Sequence, residues 1–263
     1  MTAPATRPLA VVTGASAGIG KVFCERLAAR GHDLLLVARD GNRLQALKQE
    51  LEERFGAGVE VFPADLTIDT DVSLLAETLT RSPHLALLVN NAGFGTRDAL
   101  SNASPARQEA MLQLHTIAPM RLSQAALPVL LKNRGGGIVN VSSVASFLFS
   151  ANNVNYCATK AYLRVFSEGL AAELAGSGVR VQALCPGFTR SEFHQRMGVD
   201  AGDIPGWMWL SAAKVVDSSL AALKRGWPVV CVPALRYKLI VFLLRFTPRW
   251  LIGRATRGRL RPV

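Results

Sequence analysis

Short apolar runs alternate with longer amphipathic stretches along most of the chain. The runs that are typical of buried strands lie at 9–13, 33–37, 59–62, 85–89, 137–142, 179–184 and 229–232. Helical stretches separate them, and this alternation is typical of parallel strands joined by crossover helices. We therefore predict an α/β fold in a single domain, with a doubly wound, seven-stranded parallel sheet and helices on both of its faces.

The first predicted strand runs directly into a glycine-rich turn. Residues 9–13 are followed by Gly14-Ala-Ser16-Ala-Gly18-Ile19-Gly20 and then by a helical stretch over 21–30. Strand, glycine turn and helix in this order form the first half of a Rossmann-type nucleotide-binding unit. Gly14 would allow the tight turn, Gly18 the approach of a pyrophosphate, and Gly20 close packing of the helix. An ordinary strand–helix turn is the alternative, since the spacing is not the commoner G-x-G-x-x-G.

The end of the second predicted strand bears on the choice of cofactor. An acidic residue there selects the ribose 2′-hydroxyl of NAD, whereas a small residue followed by arginine accommodates the 2′-phosphate of NADP. The chain has Ala38 and Arg39 at this place, so NADP(H) is favoured over NAD(H). Arg43 could add a second positive charge one helical turn later. Asp40 argues in the other direction, and the alternative is that Arg39 only faces solvent.

Candidate chemistry lies in the segment from residue 143 to residue 160. Tyr156 and Lys160 are four residues apart, so they share one face of a helix. The ammonium should then favour the phenolate and lower the pKa of Tyr156 from about 10. Such a phenol can exchange a proton with a carbonyl or alcohol oxygen, and Ser143 would hold the same oxygen. A cofactor must supply the hydride. Taken alone, the Tyr–Lys spacing is better explained by a tyrosine on a helix surface beside a solvated lysine, and the rest of the chain decides otherwise.

Over about residues 8 to 232 the chain resembles the short-chain dehydrogenases/reductases, because the motifs of that family occur here in the family's order. They are the glycine loop, Asp65-Leu66, Asn90-Asn91-Ala92-Gly93, the Ser143, Tyr156 and Lys160 set, and Cys185-Pro186-Gly187-Phe188-Thr189-Arg190-Ser191. The family usually has threonine where Ser191 stands, and serine keeps the hydroxyl.

The resemblance implies a role for each matching residue. Ser143, Tyr156 and Lys160 would be catalytic, and Lys160 would also grip the nicotinamide ribose. Asp65 would contact the adenine, and the segment around Gly187 would receive the carboxamide. The candidate cofactor-binding residues include the two arginines discussed above. They are Gly14, Ser16, Gly18, Ile19, Gly20, Arg39, Arg43, Asp65, Leu66, Asn91, Ala92, Gly93, Tyr156, Lys160, Pro186, Gly187, Thr189 and Ser191.

One position departs from the family pattern. The family commonly carries an asparagine on the helix after the Asn-Asn-Ala-Gly strand, where it holds a water that relays protons to the catalytic lysine. His115 stands at that place in this chain. An imidazole can also hydrogen-bond a water and can itself titrate, so we count His115 as a candidate catalytic residue of the relay. The alternative is a histidine with a structural role within the helix.

Charged residues are distributed unevenly along the chain. The net charge is +11 from 30 basic and 19 acidic residues. Residues 218–263 carry ten basic and no acidic side chains, which leaves 20 basic and 19 acidic (30 − 10 and 19 − 0) for residues 1–217. We divide the chain into a cofactor-binding and catalytic domain over 1–232 and a basic amphipathic extension over 233–263.

The extension has an apolar run, 239–244, that is far too short to span a bilayer. Bulky apolar residues interleaved with arginine suit a helix at an anionic membrane surface, which we expect to involve residues 236–263. Pro248 should divide this stretch into two short helices. A helix packed on its own domain or on a partner subunit is the competing interpretation. Nucleic-acid binding is not expected, since no reader motif accompanies the charge.

The expected substrate is an apolar small molecule. In the family the stretch after the carboxamide segment covers the substrate, and this lid, about residues 191–210, is rich in aromatic residues and methionine here: Phe193, Met197, Trp207, Met208 and Trp209. Residues 147–149 add further apolar side chains. These features favour a lipid-like ketone or alcohol, such as a 3-oxoacyl or steroid-like compound. The alternative is that residues 207–210 simply fix the lid to the core.

The remaining features set the context. The four cysteines match no metal-ligand spacing, so we expect reduced thiols, no metal site and a cytoplasmic protein that could be peripheral at a membrane. No apolar signal run precedes the first strand. The resemblance implies a homo-oligomer. We expect an NADP(H)-dependent ketone/alcohol oxidoreductase; the alternatives are a sugar-nucleotide epimerase or dehydratase, and a non-catalytic dinucleotide sensor or membrane adaptor.

Overall fold

The computed structural model describes residues 7–193 and 204–257. The strands are β1 Leu9–Thr13, β2 Asp33–Ala38, β3 Val59–Pro63, β4 Leu85–Asn90, β5 Gly137–Val141, β6 Arg180–Leu184 and β7 Val230–Cys231. The helices are α1 Gly18–Ala28, α2 Gly41–Phe55, α3 Asp69–Thr80, α4 Pro105–Leu112, α5 Ala118–Lys132, α6 Val154–Glu173, α7 Ala212–Arg225, α8 Leu235–Phe246 and α9 Arg249–Arg257. A π-helical turn, Gln113–Ile117, joins α4 to α5.

All seven predicted strands are present, each within one residue of the predicted boundary at either end. They form one sheet in the order β3-β2-β1-β4-β5-β6-β7, and every neighbouring pair is parallel. The central strands are buried on both faces, which explains why they appear in the sequence as continuous apolar runs.

Helices cover both faces of the sheet and form two cores. One core joins α1, α2 and α7 to the sheet, with Phe23, Leu44 and Val216 fully buried. The other joins α3, α5 and α6 to the opposite face, with Leu75 and Leu122 buried. The predicted doubly wound α/β architecture is therefore confirmed.

The order of the strands places a crevice at one edge of the sheet. The chain continues outward from β1 to β2 and β3, and then returns to pair β4 with the other side of β1. The segments that leave the carboxyl ends of β1 and β4 therefore diverge, and a ligand crevice forms between them in sheets of this kind. The same edge receives the segments that follow β5 and β6.

The extension begins as a pair of short helices. As expected from Pro248, α8 ends at Phe246 and α9 starts at Arg249. Tyr237, Val241 and Ile252 are buried, so one side of the pair packs on the body of the protein. The division of the chain at residue 232 stays a prediction. Within residues 7–193 and 204–257, none of the helices has the length and apolar character needed to cross a bilayer.

Candidate active site

The glycine loop makes the tightest turn of the crevice. Gly14 has a φ of 65° and Gly18 a φ of 56°, both in the left-handed region that side chains disfavour. A Cβ on Gly20 would lie 2.1 Å from the carbonyl oxygen of Gly14, so α1 can pack this close only with glycine there. In the described structure no side chain caps the N-terminus of α1 and no acidic residue lies in its first turn. The free N–H groups at this end can therefore donate hydrogen bonds to a bound anion.

Thr13 and Asn91 tie the loop to the segment after β4. The Thr13 hydroxyl accepts hydrogen bonds from the backbone N–H groups of Asn91 and Ala92, at 2.9 and 3.0 Å. The Asn91 amide donates to the carbonyl oxygens of Thr13 and Gly14, at 2.9 and 3.2 Å. These bonds fix the two sides of the crevice relative to each other, and they bring the predicted residues Gly14, Asn91 and Ala92 together.

Arg39 lies at the end of β2 with most of its side chain exposed. Its guanidinium is 3.7 Å from the carboxylate of Asp65, which follows β3. Burial raises the pKa of Asp65, but hydrogen bonds from Thr67 and the charge of Arg39 outweigh it and hold that pKa below its usual value. Asp40 is occupied differently, because its carboxylate accepts the backbone N–H of Arg43 at 3.0 Å and caps α2. Asp40 thus has a structural use as the cap of α2, although both Arg39 and Asp40 are exposed at this strand end.

Arg43 forms an ion pair with Glu192, at the start of the lid. Its guanidinium donates to both carboxylate oxygens of Glu192, one of them at 3.0 Å. The start of the lid also reaches the glycine loop, since a Cβ on Gly18 would lie 3.0 Å from the Cβ of Ser191. The expected second charge for a 2′-phosphate is therefore paired with the lid in this structure.

Ser143, Tyr156 and Lys160 meet at the end of β5. Ser143 follows the strand, and Tyr156 and Lys160 lie on the first turns of α6. The Lys160 ammonium is 5.8 Å from the centre of the Tyr156 ring and donates to the carbonyl oxygen of Val141 at 2.9 Å. Ser142 binds the carbonyl oxygen of Lys160 at 2.7 Å, which fixes α6 against β5. The predicted trio is therefore brought together at the carboxyl-end edge of the sheet, on the far side of β4 from the glycine loop.

The pKa of the phenol differs from the sequence-based expectation. Burial raises the pKa of Tyr156 to about 12, with hydrogen bonding to Ser143 acting in the opposite direction. Burial also lowers the pKa of Lys160 to about 8. The expected depression of the phenol pKa is thus wrong for the structure as described, because the loss of solvation on burial outweighs the hydrogen bond to Ser143. At neutral pH the phenol is protonated.

The segment after β6 closes the crevice from the other side. The Pro186 carbonyl accepts the backbone N–H of Val144, next to Ser143, at 3.0 Å. The Thr189 hydroxyl donates to the Gly187 carbonyl at 2.9 Å, and the Ser191 hydroxyl reaches the Thr189 carbonyl at 3.4 Å. The loop that carries these predicted residues therefore holds its own shape and is bonded to the Ser143 segment.

The described part of the lid brings apolar side chains to this site. The ring of Phe193 lies 6.1 Å from that of Tyr156, centre to centre. Trp209 packs against Phe188, and its indole N–H donates to the Ile204 carbonyl at 3.3 Å. Trp207 is 62% exposed, but Leu210 is 2% exposed and its backbone bonds Phe188 and Arg190 at 2.8 and 2.9 Å, so the end of the 207–210 stretch does fix the lid to the body of the protein. Met197 lies outside the described residues.

Known proteins share this arrangement. A family model described as short chain dehydrogenase matches residues 8–201. The chain belongs to this family. It is an oxidoreductase that acts on CH–OH groups and takes a nicotinamide dinucleotide, as the sequence predicted.

Individual relatives extend the likeness along the chain. A short-chain dehydrogenase from Sphingobium yanoikuyae, solved in complex with NADPH, is 34% identical with a TM-score of 0.84, and the match covers 97% of each chain. A bulky-bulky ketone specific alcohol dehydrogenase from Comamonas testosteroni is 30% identical, with a TM-score of 0.79 and coverage of 97% and 96%. The 3-oxoacyl-[acyl-carrier-protein] reductase of Aquifex aeolicus is 33% identical over 70% of this chain and 75% of its own.

His115 occupies the π-helical turn of this dehydrogenase and is 1% exposed. Its Nε2 accepts the backbone N–H of Phe94 at 3.1 Å, so the proton of the neutral ring belongs on Nδ1. Nδ1 then donates to the Thr159 hydroxyl at 3.1 Å, and that hydroxyl donates to the Tyr156 carbonyl at 3.0 Å. Both ring nitrogens are thus used within the protein. A relay role stays a prediction, and the geometry favours a positioning role for His115.

Replacing His115 with asparagine should reduce the amount by which the free energy of unfolding falls as the pH is lowered. Burial, and to a lesser degree the charge of Lys160, hold the pKa of His115 well below 6.5. Below pH 6.5 the unfolded chain therefore binds a proton that the folded chain does not, so wild-type stability falls as the pH falls. The loss should be up to about 1.4 kcal/mol per pH unit larger in wild type than in the variant. Urea unfolding at pH 7, 6 and 5 measures it.

The exposed His84 supplies the control for that experiment, since His84→Asn makes the same substitution at the surface. Identical pH dependence in wild type and His115→Asn would contradict the buried, neutral imidazole. A change in the pH–rate profile of His115→Asn, with unchanged stability, would instead favour the relay.

Two residues of this site were missed by sequence reasoning. Thr159 was passed over because nothing in its spacing distinguishes it, although it links His115 to Tyr156 through two hydrogen bonds. Phe94 follows Gly93 directly, and its contact with a residue 21 positions away is visible only in the fold. Within the described residues no three His, Cys, Asp or Glu side chains are grouped as a metal site, and the four buried cysteines are free.

Proposed function

We propose that this dehydrogenase interconverts an apolar ketone and the corresponding secondary alcohol with NADP(H) as its cofactor. The proposal rests chiefly on one observation. The Lys160 ammonium lies 5.8 Å from the Tyr156 ring, with Ser143 acting on the same phenol, at the crevice edge where the glycine loop turns. This combination suits proton exchange with an oxygen atom held beside a dinucleotide.

Tyr156, Ser143 and Lys160 each have a separate role in the proposed reaction. A bound nicotinamide supplies or accepts the hydride. Tyr156 gives its proton to the carbonyl oxygen, and Ser143 donates a hydrogen bond to that oxygen. Lys160 places a positive charge beside the phenol, which favours loss of the proton as the reaction proceeds. Since the phenol is protonated at neutral pH, the resting site suits reduction, and oxidation should need a higher pH.

NADP(H) fits the residues at the adenosine end of the crevice. The uncapped N-terminus of α1 offers N–H groups to a pyrophosphate, and the exposed Arg39 offers a charge where a 2′-phosphate would lie. Asp40, the one residue that argued for NAD, is used as the cap of α2. The relative from Sphingobium yanoikuyae, solved in complex with NADPH, supports the same choice.

A bulky apolar ketone is the substrate class that the cleft favours. Phe193 faces Tyr156, and Phe94 lies beyond the His115 ring. Aromatic walls on the substrate side disfavour sugars and other strongly hydrated alcohols. The relative from Comamonas testosteroni, whose name specifies bulky-bulky ketones, supports this choice over the 3-oxoacyl substrates for which the Aquifex aeolicus reductase is named.

A reduction screen tests the proposal. Ketones graded from small to bulky on both sides, together with 3-oxoacyl thioesters and a steroid ketone, would be offered with NADPH and with NADH. We expect turnover to rise with apolar bulk and NADPH to be preferred by at least about tenfold, since one well-placed ion pair with the 2′-phosphate is worth more than 1.4 kcal/mol. Firm NADPH binding without turnover across the panel would favour the non-catalytic sensor.

We further propose a homo-oligomer, for which one outer surface offers support. Leu112, Ile117, Tyr162 and Val165 are all exposed on α4, the π-helical turn and α6. A mostly apolar groove of about 250 Å³ lies between these elements. An apolar helical surface of this kind is suited to burial against a second copy.

Contact with an anionic membrane surface is proposed for the outer side of α8 and α9. Leu239, Phe242, Phe246 and Trp250 are 56% to 71% exposed. No acidic residue follows Asp217 in the chain, while basic residues flank this apolar side. Two copies of so basic a surface would repel each other, so an anionic lipid surface is the favoured partner.

Replacing both Phe242 and Phe246 with serine should weaken co-sedimentation with vesicles that contain phosphatidylserine by at least about tenfold, since two large apolar side chains leave the interface. Leu74→Ser is the control, because Leu74 is 56% exposed on α3, away from the extension. Equal binding by all three proteins would remove the membrane proposal. Point substitutions are preferable to deleting 236–263, because the deletion would also remove the buried Tyr237.

A further inference from the structure

The extension reaches the catalytic crevice through one buried side chain. Tyr237, on the first turn of α8, is 2% exposed and its ring covers Gly187. A Cβ on Gly187 would lie 2.0 Å from the Tyr237 Cζ and 2.2 Å from Cε2, so no side chain at 187 is compatible with the ring. The φ of Gly187 is outside the left-handed region. Glycine is therefore required here by the contact with Tyr237 and not by the turn.

The hydroxyl of Tyr237 bonds two segments at once. It accepts the backbone N–H of Phe188 at 3.0 Å, and it donates to the carbonyl oxygen of Met208 at 2.7 Å. Phe188 belongs to the loop after β6, and Met208 lies at the far end of the lid. Arg236 adds a hydrogen bond to the Trp209 carbonyl at 3.0 Å. The first turn of α8 thus adds side-chain bonds to two segments that the backbone of Leu210 already joins through Phe188 and Arg190.

The rest of the extension packs against the segment that follows Ser143, which also borders the crevice. α8 packs against residues 144–147, the short turn that follows Ser143. The guanidinium of Arg249, at the start of α9, lies 5.0 Å from the centre of the Phe149 ring. The extension therefore touches the Ser143 segment, the β6 loop and the lid, which together border the crevice.

We propose that Tyr237 is a positioning residue that sets the β6 loop and the lid for cofactor and substrate. This inference rests on the proposed function, because it assigns the loop to the nicotinamide end of the bound dinucleotide. Loss of the hydroxyl would remove both of these bonds and loosen the first turn of α8 from the two segments, which the backbone bonds of Leu210 to Phe188 and Arg190 would still join to each other. The adenosine end, at Arg39 and Asp65, lies on the other half of the sheet and should not respond.

Tyr237→Phe tests the proposal, since it keeps the ring on Gly187 and removes both hydrogen bonds. We expect the Kd for NADPH and the KM for a bulky ketone each to rise about three- to tenfold, the effect of one or two ordinary hydrogen bonds. The Kd for 2′,5′-ADP, which lacks the nicotinamide, should stay at the wild-type value. Tyr162→Phe is the matched control, because it removes a tyrosine hydroxyl on α6 and keeps the ring that stacks on Phe166; since Tyr162 lies on the proposed oligomer surface, the oligomeric state of each variant is compared with wild type by size-exclusion chromatography.

Three results would overturn the inference. The first is wild-type NADPH affinity and KM in Tyr237→Phe. The second is an equal loss of affinity for NADPH and 2′,5′-ADP, which would indicate general damage to the fold. The third is wild-type protein that binds 2′,5′-ADP and no NADPH, which would also remove the proposed function; the first two leave that function standing.

A double-substitution cycle examines the ring contact separately. Gly187→Ala should weaken NADPH binding strongly in the wild-type background, since its methyl group would overlap the ring. In the Tyr237→Leu background the same change should have a much smaller effect, because the smaller side chain leaves room. Equal effects in both backgrounds would mean that Gly187 does not serve the Tyr237 contact, and would overturn this part of the inference.

Discussion

Replacing Tyr156 with phenylalanine should lower kcat for ketone reduction by about 10²- to 10⁴-fold, the range that a positioned general acid contributes. The phenol holds its proton at neutral pH and is hydrogen-bonded to Ser143, and in the proposed mechanism it is the group that gives its proton to the carbonyl oxygen. The ring itself keeps its contacts with His115 and Phe193, so the Kd for NADPH should change less than about threefold. Single-turnover kinetics and a binding titration measure the two effects separately.

Tyr162→Phe supplies the matched control, because the chain has only three tyrosines and Tyr162 is exposed on the outer side of the same helix. It should leave kcat and affinity unchanged. If Tyr156→Phe kept more than about a tenth of the wild-type kcat, with the substrate concentration saturating, the general-acid role would pass to another group. Loss of NADPH affinity in parallel with kcat would instead indicate that the phenol mainly serves binding.

The burial of Tyr156 and Lys160 could not be predicted from the sequence. Spacing placed Lys160 beside Tyr156 on one helix face, and the structure agrees. Spacing cannot show that both side chains lose most of their solvation, and that loss decides the direction of the pKa of Tyr156. A phenol with a raised pKa is a weaker acid at rest, so Ser143 and the charge of Lys160 must act mainly as the proton leaves.

The elements of the fold were predictable because their signals are local. Parallel strands buried on both faces appear as unbroken apolar runs, and Pro248 marks the break between α8 and α9. Asp40 could also have been interpreted correctly, since an aspartate just before a helical stretch is a common N-cap. Its use as the cap of α2 gives the residue a structural role besides the choice of cofactor.

Contacts between distant segments were not predictable, because no periodicity marks them. Arg43 pairs with Glu192, 149 positions away, and Tyr237 bonds Phe188, 49 positions away. The extension was weighed as a membrane helix or as a helix packed on its own domain. The structure shows that one side of α8 packs on the crevice, while its other side stays exposed and apolar.

Replacing Gly20 with alanine should destabilise the protein by about 1–3 kcal/mol, the cost of forcing an extra methyl group into a packed site. The new Cβ would lie 2.1 Å from the Gly14 carbonyl oxygen and 2.6 Å from the Asn91 amide nitrogen, so α1 must move away from the sheet. That movement separates the N-terminus of α1 from the glycine turn, and NADPH affinity should fall more than about tenfold as the anion site opens. Urea unfolding and a binding titration measure both effects.

Gly169→Ala gives the matched control, because Gly169 is also a helical glycine but is exposed on α6. Among the described residues nothing lies within 4 Å of its added Cβ. Helix propensity alone would make both substitutions stabilising by up to about 1 kcal/mol, and Gly169→Ala should show that gain. The two variants are thus expected to differ in sign, and only the contact of α1 with the glycine turn can account for the difference. Stabilisation by Gly20→Ala, with NADPH affinity kept, would contradict the close approach of α1 to the sheet.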